Sequence, residues 1–242
     1  MQPLGAAKAY GWNVVNGSAR ETAMNGKLDK FAVQLETEHL LGDRIFEIGN
    51  QISKRLAKIV DPQIDQEIDP DRGGKQRTLA KSDLPQDLIQ ACQLFVFLLN
   101  HFADPVHMLA EEAALQYAIG CGMPREDAAW VFAQHDQARA YWNTITIAWN
   151  RMGGTDDGDR YYSAMDFRRS TDAFVFLFTA HAVRENTTVY MQASEKVDPA
   201  TDALVLNILQ HSGPPDLTPY IGMVTRAEKL LGITPPPGSP TA

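Results

Sequence analysis

The chain has 242 residues, 44% of them hydrophobic, enough to bury a sizeable core as one domain with terminal extensions. A net charge of −8 and a pI near 5.2 leave it without the clustered Lys and Arg that phosphate binding needs, which excludes nucleic acid as a partner. The longest apolar run, Leu94 to Leu99, is too short to cross a bilayer, and the opening MQPLGAAKAYGWNVVNG lacks the basic-then-apolar pattern of a secretory leader. Two cysteines, Cys92 and Cys121, make no disulfide framework and read as small core residues. A cytoplasmic protein that does not engage a membrane is expected.

Residues 1–25 are small and polar and read as an irregular arm, with Tyr10 and Trp12 packing back onto the rest. Residues 26–197 read as the main domain. A first helix is predicted from Leu28 to Ile59 by apolar residues at helical spacing, and Asp61-Pro62 stops it. Residues 61–83 carry charge and Gly73-Gly74, and read as a long solvated loop. Ser82-Asp83 followed by Pro85 marks the start of a second helix running to Ile119, with a kink expected at Pro105 because proline lacks an N–H and crowds the preceding turn. A third helix is predicted over 125–151, a polar glycine-rich loop over 152–164, and a fourth helix over 165–196. Residues 198–232 hold two shorter helices, 201–210 and 219–231, and residues 233–242 form a disordered tail. No stretch alternates with period two. The fold class is all-α: an up-down four-helix bundle with short additional C-terminal helices.

Of six histidines, four fall on four different predicted long helices: His39, His107, His135 and His181. On the third helix Val131, His135, Ala138, Trp142, Ile145 and Trp149 form an unbroken inward seam. Leu35, His39, Gly42, Phe46 and Gly49 share a face on the first helix; His107, Glu111, Ala114 and Ala118 on the second; Phe174, Leu177, Phe178, His181, Glu185 and Thr188 on the fourth. His107 and His181 each have a glutamate four residues on, Glu111 and Glu185, so imidazole and carboxylate lie one turn apart and converge. Two carboxylates and four imidazoles aimed at one interior need a compensating positive charge. A pair of metal ions supplies it, with the carboxylates bridging. Mixed nitrogen and oxygen donors with open positions suit iron over zinc, with manganese ranked behind iron.

These motifs, in order, resemble the hemerythrin-like (HHE cation-binding) domain family. LETEHLLGDRIFEIG is similar to its first-helix motif and places His39; FADPVHMLAEEAALQYAIGCGMP is similar to the second and places His107 and Glu111. AQHDQAR resembles the third and places His135, and TAHAVRENTTVY resembles the fourth and places His181 and Glu185. The resemblance spans about residues 28 to 196 and implies a di-iron centre held by those six residues. It departs from the oxygen-carrying hemerythrins in having Arg139 where they place a second histidine one turn after the first. It matches the subset that includes di-iron proteins linked to iron–sulfur cluster repair, but those typically add an N-terminal cysteine-bearing domain, and no cysteine precedes Cys92 here. One fewer histidine leaves an open coordination position, which favours reaction with O2, peroxide or NO.

Around this set, Glu38 and Asp136 are candidates to orient an imidazole, and Arg139 to steer an anionic ligand or hold a metal-bound glutamate. Glu112 is expected to face solvent. Tyr190, like Tyr117 and Tyr141, is read as a packing residue or as a donor near the metals. His101 is expected to be structural or exposed, and His211 is assigned no role. The leading expectation is a non-haem di-iron protein that binds and reacts with O2, peroxide or NO, as an oxidoreductase if it turns over. It would work with a redox partner or as a homo-oligomer. A non-catalytic iron or oxygen sensor, or an iron-storage module signalling through its terminal helices, is the alternative. A ferritin-like oxidase, prompted by Glu36-x-x-His39, ranks below both because a second copy of that motif is absent.

Overall fold

A computed structural model describes residues 29–63, 77–154, 156–189 and 216–235. The expected N-terminal arm, most of the first long loop, the 201–210 helix, the end of the tail, Tyr190 and His211 lie outside them. Every element among the described residues is helical.

Helix α1 spans Asp29–Val60, and Asp61-Pro62 ends it in a single 3-10 turn. Its buried stripe is Leu41, Ile45, Ile48, Ile52, Leu56 and Val60, at steps of three and four residues. That stripe sits one position round from the face that holds His39, Gly42 and Phe46, so α1 presents one side to the apolar core and the next to the polar interior.

The second rod is built from α2 (Gln86–Leu98), a π-helical segment (Leu99–Met108) and α3 (Leu109–Gly120). Ser82 and Asp83 lie in a preceding 3-10 turn, where Asp83 accepts from the Ala80 N–H, and Pro85 rather than either of them precedes α2. The strain expected at Pro105 is absorbed by widening: the Leu109 N–H bonds to the Asp104 carbonyl five residues back. Asn100 secures the widened turn, since its side-chain amide donates to the Val96 carbonyl at 2.8 Å while Trp142 donates to its Oδ1 at 2.6 Å.

Gly122, at φ 101°, turns the chain, and the Met123 N–H returns to the Ala118 carbonyl. Helix α4 then runs Arg125–Met152. Helix α5 spans Asp157–Arg184 and continues into a π-helical turn, Glu185–Val189. It therefore starts eight residues before the predicted Met165. Asp156 caps it by accepting from the Asp159 N–H, and buried Arg160 spends its donors on the carbonyls of Leu79, Met152 and Gly154 and on Asp157. The polar stretch that reads as loop is thus the first two turns of a helix whose polar groups are satisfied.

Helix α6 (Thr218–Leu231) starts with Pro219 in its first turn and ends at Gly232, at φ 71°. It packs against α1 and α2 and puts Val224 and Ala227 into the main core. A buried ion pair joins it to α1, where Arg44 donates to both carboxylate oxygens of Glu228 at 2.8 and 2.7 Å. Helix α5 packs most extensively on α4 and then on α1. Arg160 reaches Met152 at one end of the α4–α5 pair and His181 meets Gln134 at the other, so these two helices form an antiparallel hairpin. Among the described residues, no helix is long and apolar enough to cross a membrane.

Candidate metal centre

Each histidine of the sequence pattern reaches the interior from a different element: His39 from α1, His107 from the π-helical segment, His135 from α4 and His181 from α5. Glu111 comes from the first turn of α3, and Glu185 opens the π-helical turn after α5. Helical periodicity alone brings His181 and Glu185 together, at 2.5 Å. Packing of α4 on α5 then sets His135 Nε2 3.1 Å from His181 Nε2, and packing of α4 on α3 sets it 3.3 Å from Glu111 Oε2. Donor atoms of Glu111, His135, His181 and Glu185 all lie within 4.8 Å of one another, and all four residues are buried. This group can hold a metal ion.

His39 and His107 stand on the far side of the same carboxylates. His39 Nε2 is 3.6 Å from Glu185 Oε2, His107 Nε2 is 4.0 Å from Glu111 Oε2, and the two rings meet edge-on with centroids 5.0 Å apart. All six predicted residues are therefore brought to one place, as a tight group of four with a looser histidine pair beside it.

Outer contacts turn a chosen ring nitrogen inward for three of the four histidines. Glu112 Oε1 accepts from His135 Nδ1 at 2.8 Å, Gln134 Oε1 accepts from His181 Nδ1 at 2.9 Å, and Glu38 Oε2 accepts from His107 Nδ1 at 3.1 Å. A carboxylate or amide oxygen at Nδ1 holds a proton there and turns Nε2 inward, where it carries a lone pair toward a metal ion or a proton toward Glu111. Glu38 thus stands where a ring-orienting residue was expected. Asp136 does not: its side chain is 80% exposed and pairs only with Arg139 at 3.3 Å, because one step along α4 from His135 turns it outward. Glu112 takes that place, correcting the expectation that it faces solvent. Lying next to Glu111, it points from α3 toward α4 and contacts both His135 and Arg139. Gln134 was not anticipated at all; its only sequence signal is its position beside His135 on the α5-facing side of α4. Arg139 is only partly exposed and donates to Asp104 and Glu112, each at 2.8 Å. Tyr141 accepts from Gln137 at the surface, in keeping with a packing role, and exposed His101 lies on Phe97 with ring centroids 4.1 Å apart. The Glu36 side chain lies outside the described residues.

Charge makes the same case as geometry. Burial and then the neighbouring Glu111 push the Glu185 carboxyl well above the usual carboxylate range. Burial also works to raise Glu111, but the His135 hydrogen bond and the charges of His107 and His135 bring it below that range. Burial holds His181 down at about 3 despite the attraction of Glu111. For His107 burial is outweighed by the Glu38 hydrogen bond and by Glu111, so its pKa is raised. Two carboxyls and inward-facing lone pairs thus share one dry space, and either protons or a cation must relieve their repulsion. This donor set fits a metal ion.

Beside His39, His107 and His181 lies a small cavity walled by Gly42, Phe46, Phe102, Phe174 and Phe178. That is room for one small molecule. Buried Cys92 takes no part, as burial pushes its thiol up to about 12. In comparisons with known proteins, the chain matches no family model, no curated protein and no solved structure.

Proposed function

We propose that this is a non-haem di-iron protein that binds and reacts with O2, peroxide or NO, built as an up-down four-helix bundle of the hemerythrin-like type. The observation that carries the reading is the group of four buried donors with His39 and His107 set against the same carboxylates. One ion would be held by Glu111, His135, His181 and Glu185, and a second by His39 and His107 with the carboxylates shared. Antiparallel pairing of α4 with α5, and of α1 with α5 through the contacts of Val60 with Tyr161 and of His39 with Glu185, supports the bundle. Mixed imidazole and carboxylate donors favour iron, with manganese second.

When bound, a reduced iron pair supplies electrons to a diatomic or peroxide ligand. The chain's own residues prepare the place for it. Glu38, Glu112 and Gln134 fix the imidazoles, the phenylalanines around the cavity exclude bulk water, and Gly42 leaves space beside His39. Because Glu185 and His107 carry protons more readily than usual, metal loading releases protons, and its affinity rises with pH.

The test is metal content and the optical spectrum of purified protein beside a His107→Ala/His181→Ala double variant. The reading expects about two irons per chain and an oxo-bridge band in the near ultraviolet, both lost in the variant. Protein that stays metal-free and colourless after anaerobic iron loading refutes it.

A second reading, an iron or oxygen sensor without turnover, is favoured by the Arg44–Glu228 pair, which ties α6 to α1 five residues beyond His39. A sensor would change its protease sensitivity or oligomeric state on metal loading while consuming neither peroxide nor NO.

A further inference from the structure

Arg139 stands one turn after His135 on the same side of α4, yet it touches none of the six inward residues. Its contacts go to the layer behind them. Nη2 donates to Glu112 Oε1 at 2.8 Å, and that same oxygen accepts from His135 Nδ1 at 2.8 Å. Nε donates to Asp104 Oδ1 at 2.8 Å. Asp104 belongs to the π-helical segment, directly before Pro105 and three residues before His107. One guanidinium therefore links α4, α3 and the widened turn, and both routes end on a histidine of the centre.

We infer that Arg139 is a positioning residue that holds Glu112 against His135 Nδ1, so that His135 presents Nε2 toward Glu111 and His181, and that secures the turn carrying His107. A guanidinium suits the task because its planar fork engages two acceptors in fixed directions, which an ammonium cannot do. It also offsets the charge of a carboxylate that has only partial access to water. Without Arg139, Glu112 regains its freedom to turn to solvent, and the His135 ring loses the acceptor that holds its Nδ1–H.

The affinity part of this inference rests on the metal reading above; the hydrogen-bond part does not. In metal-free protein labelled with 15N-histidine, NMR should show the His135 Nδ1–H held by Glu112 and protected from exchange with water, and Arg139→Ala should remove that protection. Arg139→Lys should fall between them, and it carries the measurement if the alanine variant does not fold. Iron or manganese titration against a competing chelator should show a 10- to 100-fold weaker site in Arg139→Ala, the usual size for loss of an outer partner. In a Glu112→Ala background, Arg139→Ala should weaken it by clearly less, the remainder being the route through Asp104. The inference is overturned if the His135 Nδ1–H stays as protected in the variant as in the parent, or if affinity falls equally with and without Glu112. If the parent protein binds no metal, the proposed function fails while the NMR comparison still decides the role of Arg139.

Discussion

The two ends of the helical core solve the problem of buried charge in opposite ways. At one end Arg160 is almost fully buried, and its donors meet three backbone carbonyls and Asp157, while Tyr161 beside it bonds to the Val60 carbonyl. At the other end Glu111, Glu185, His135 and His181 are as deeply buried, but they face one another. The first set is complete within the chain; the second needs protons or a cation. A fold of this size keeps such an arrangement only if the packed end supplies the stability that the donor end withholds.

The largest effect should come from breaking the complete end. Arg160→Met leaves the buried carbonyls of Leu79 and Met152, and that of exposed Gly154, without their donor, at a cost of about 3–5 kcal/mol. Urea unfolding should show that loss, while metal content per folded chain stays at the parent value. A variant that lost metal in proportion would mean that the two ends are not separable.

This division also explains what was legible in the sequence. The two His–Glu pairs could be read because His and Glu at i and i+4 leave little choice of direction once a helix is granted, and His39 and His135 because they lie on apolar faces of helical spacing. The α4 seam was legible for the same reason: Val131, His135, Ala138 and Ile145 are buried, and Trp142 and Trp149 pack against the core. The start of α5 was not, because Asp156 to Arg160 looks like loop until the carbonyls that receive Arg160 are known, and those come from residues up to 81 positions away. Glu112 was misplaced because a single helix assigns it to an outer face, and only the approach of α4 makes that face an inner one. Asn100, Gln134 and Arg139 share this property: their roles are set by a neighbouring helix.

Two glycines on α1 sharpen the contrast. A Cβ at Gly49 would lie 2.9 Å from the ring of buried Phe95 and 3.1 Å from Val175, so Gly49 permits the close approach of α1, α2 and α5. Gly49→Ala should destabilise by about 2 kcal/mol, the overpacking cost exceeding the gain in helix propensity, with thermal unfolding as the measure. A neutral result would mean that the Phe95 ring can shift without cost.

Asp43, next to the other glycine, allows a pH test. Burial pushes its carboxyl up to about 6 from 3.8, so the folded chain holds a proton that the unfolded chain releases between these values. Stability should therefore fall as pH rises through the range of about 4 to 6, by about 3 kcal/mol in all from this residue. Asp43→Asn should remove that part of the slope, making the variant the more stable protein above pH 6 and equal to the parent below pH 4. Parallel stability curves for the two proteins would refute the assignment.

Gly42 should give the smallest change in stability and the most informative one. A Cβ there meets only the Phe46 ring, at an ordinary 3.7 Å, so close packing does not explain a glycine in mid-helix. Glycine costs a helix about 0.5–1 kcal/mol relative to alanine, and Gly42→Ala should return that amount. What glycine preserves is the space beside His39, His107 and Phe178. On the di-iron reading, Gly42→Leu should fill it, leaving iron content unchanged while slowing NO association at least tenfold in stopped-flow mixing. Unaltered association in a folded, metal-loaded Gly42→Leu variant would show that ligands reach the centre by another way, and would leave this glycine with a cost and no function.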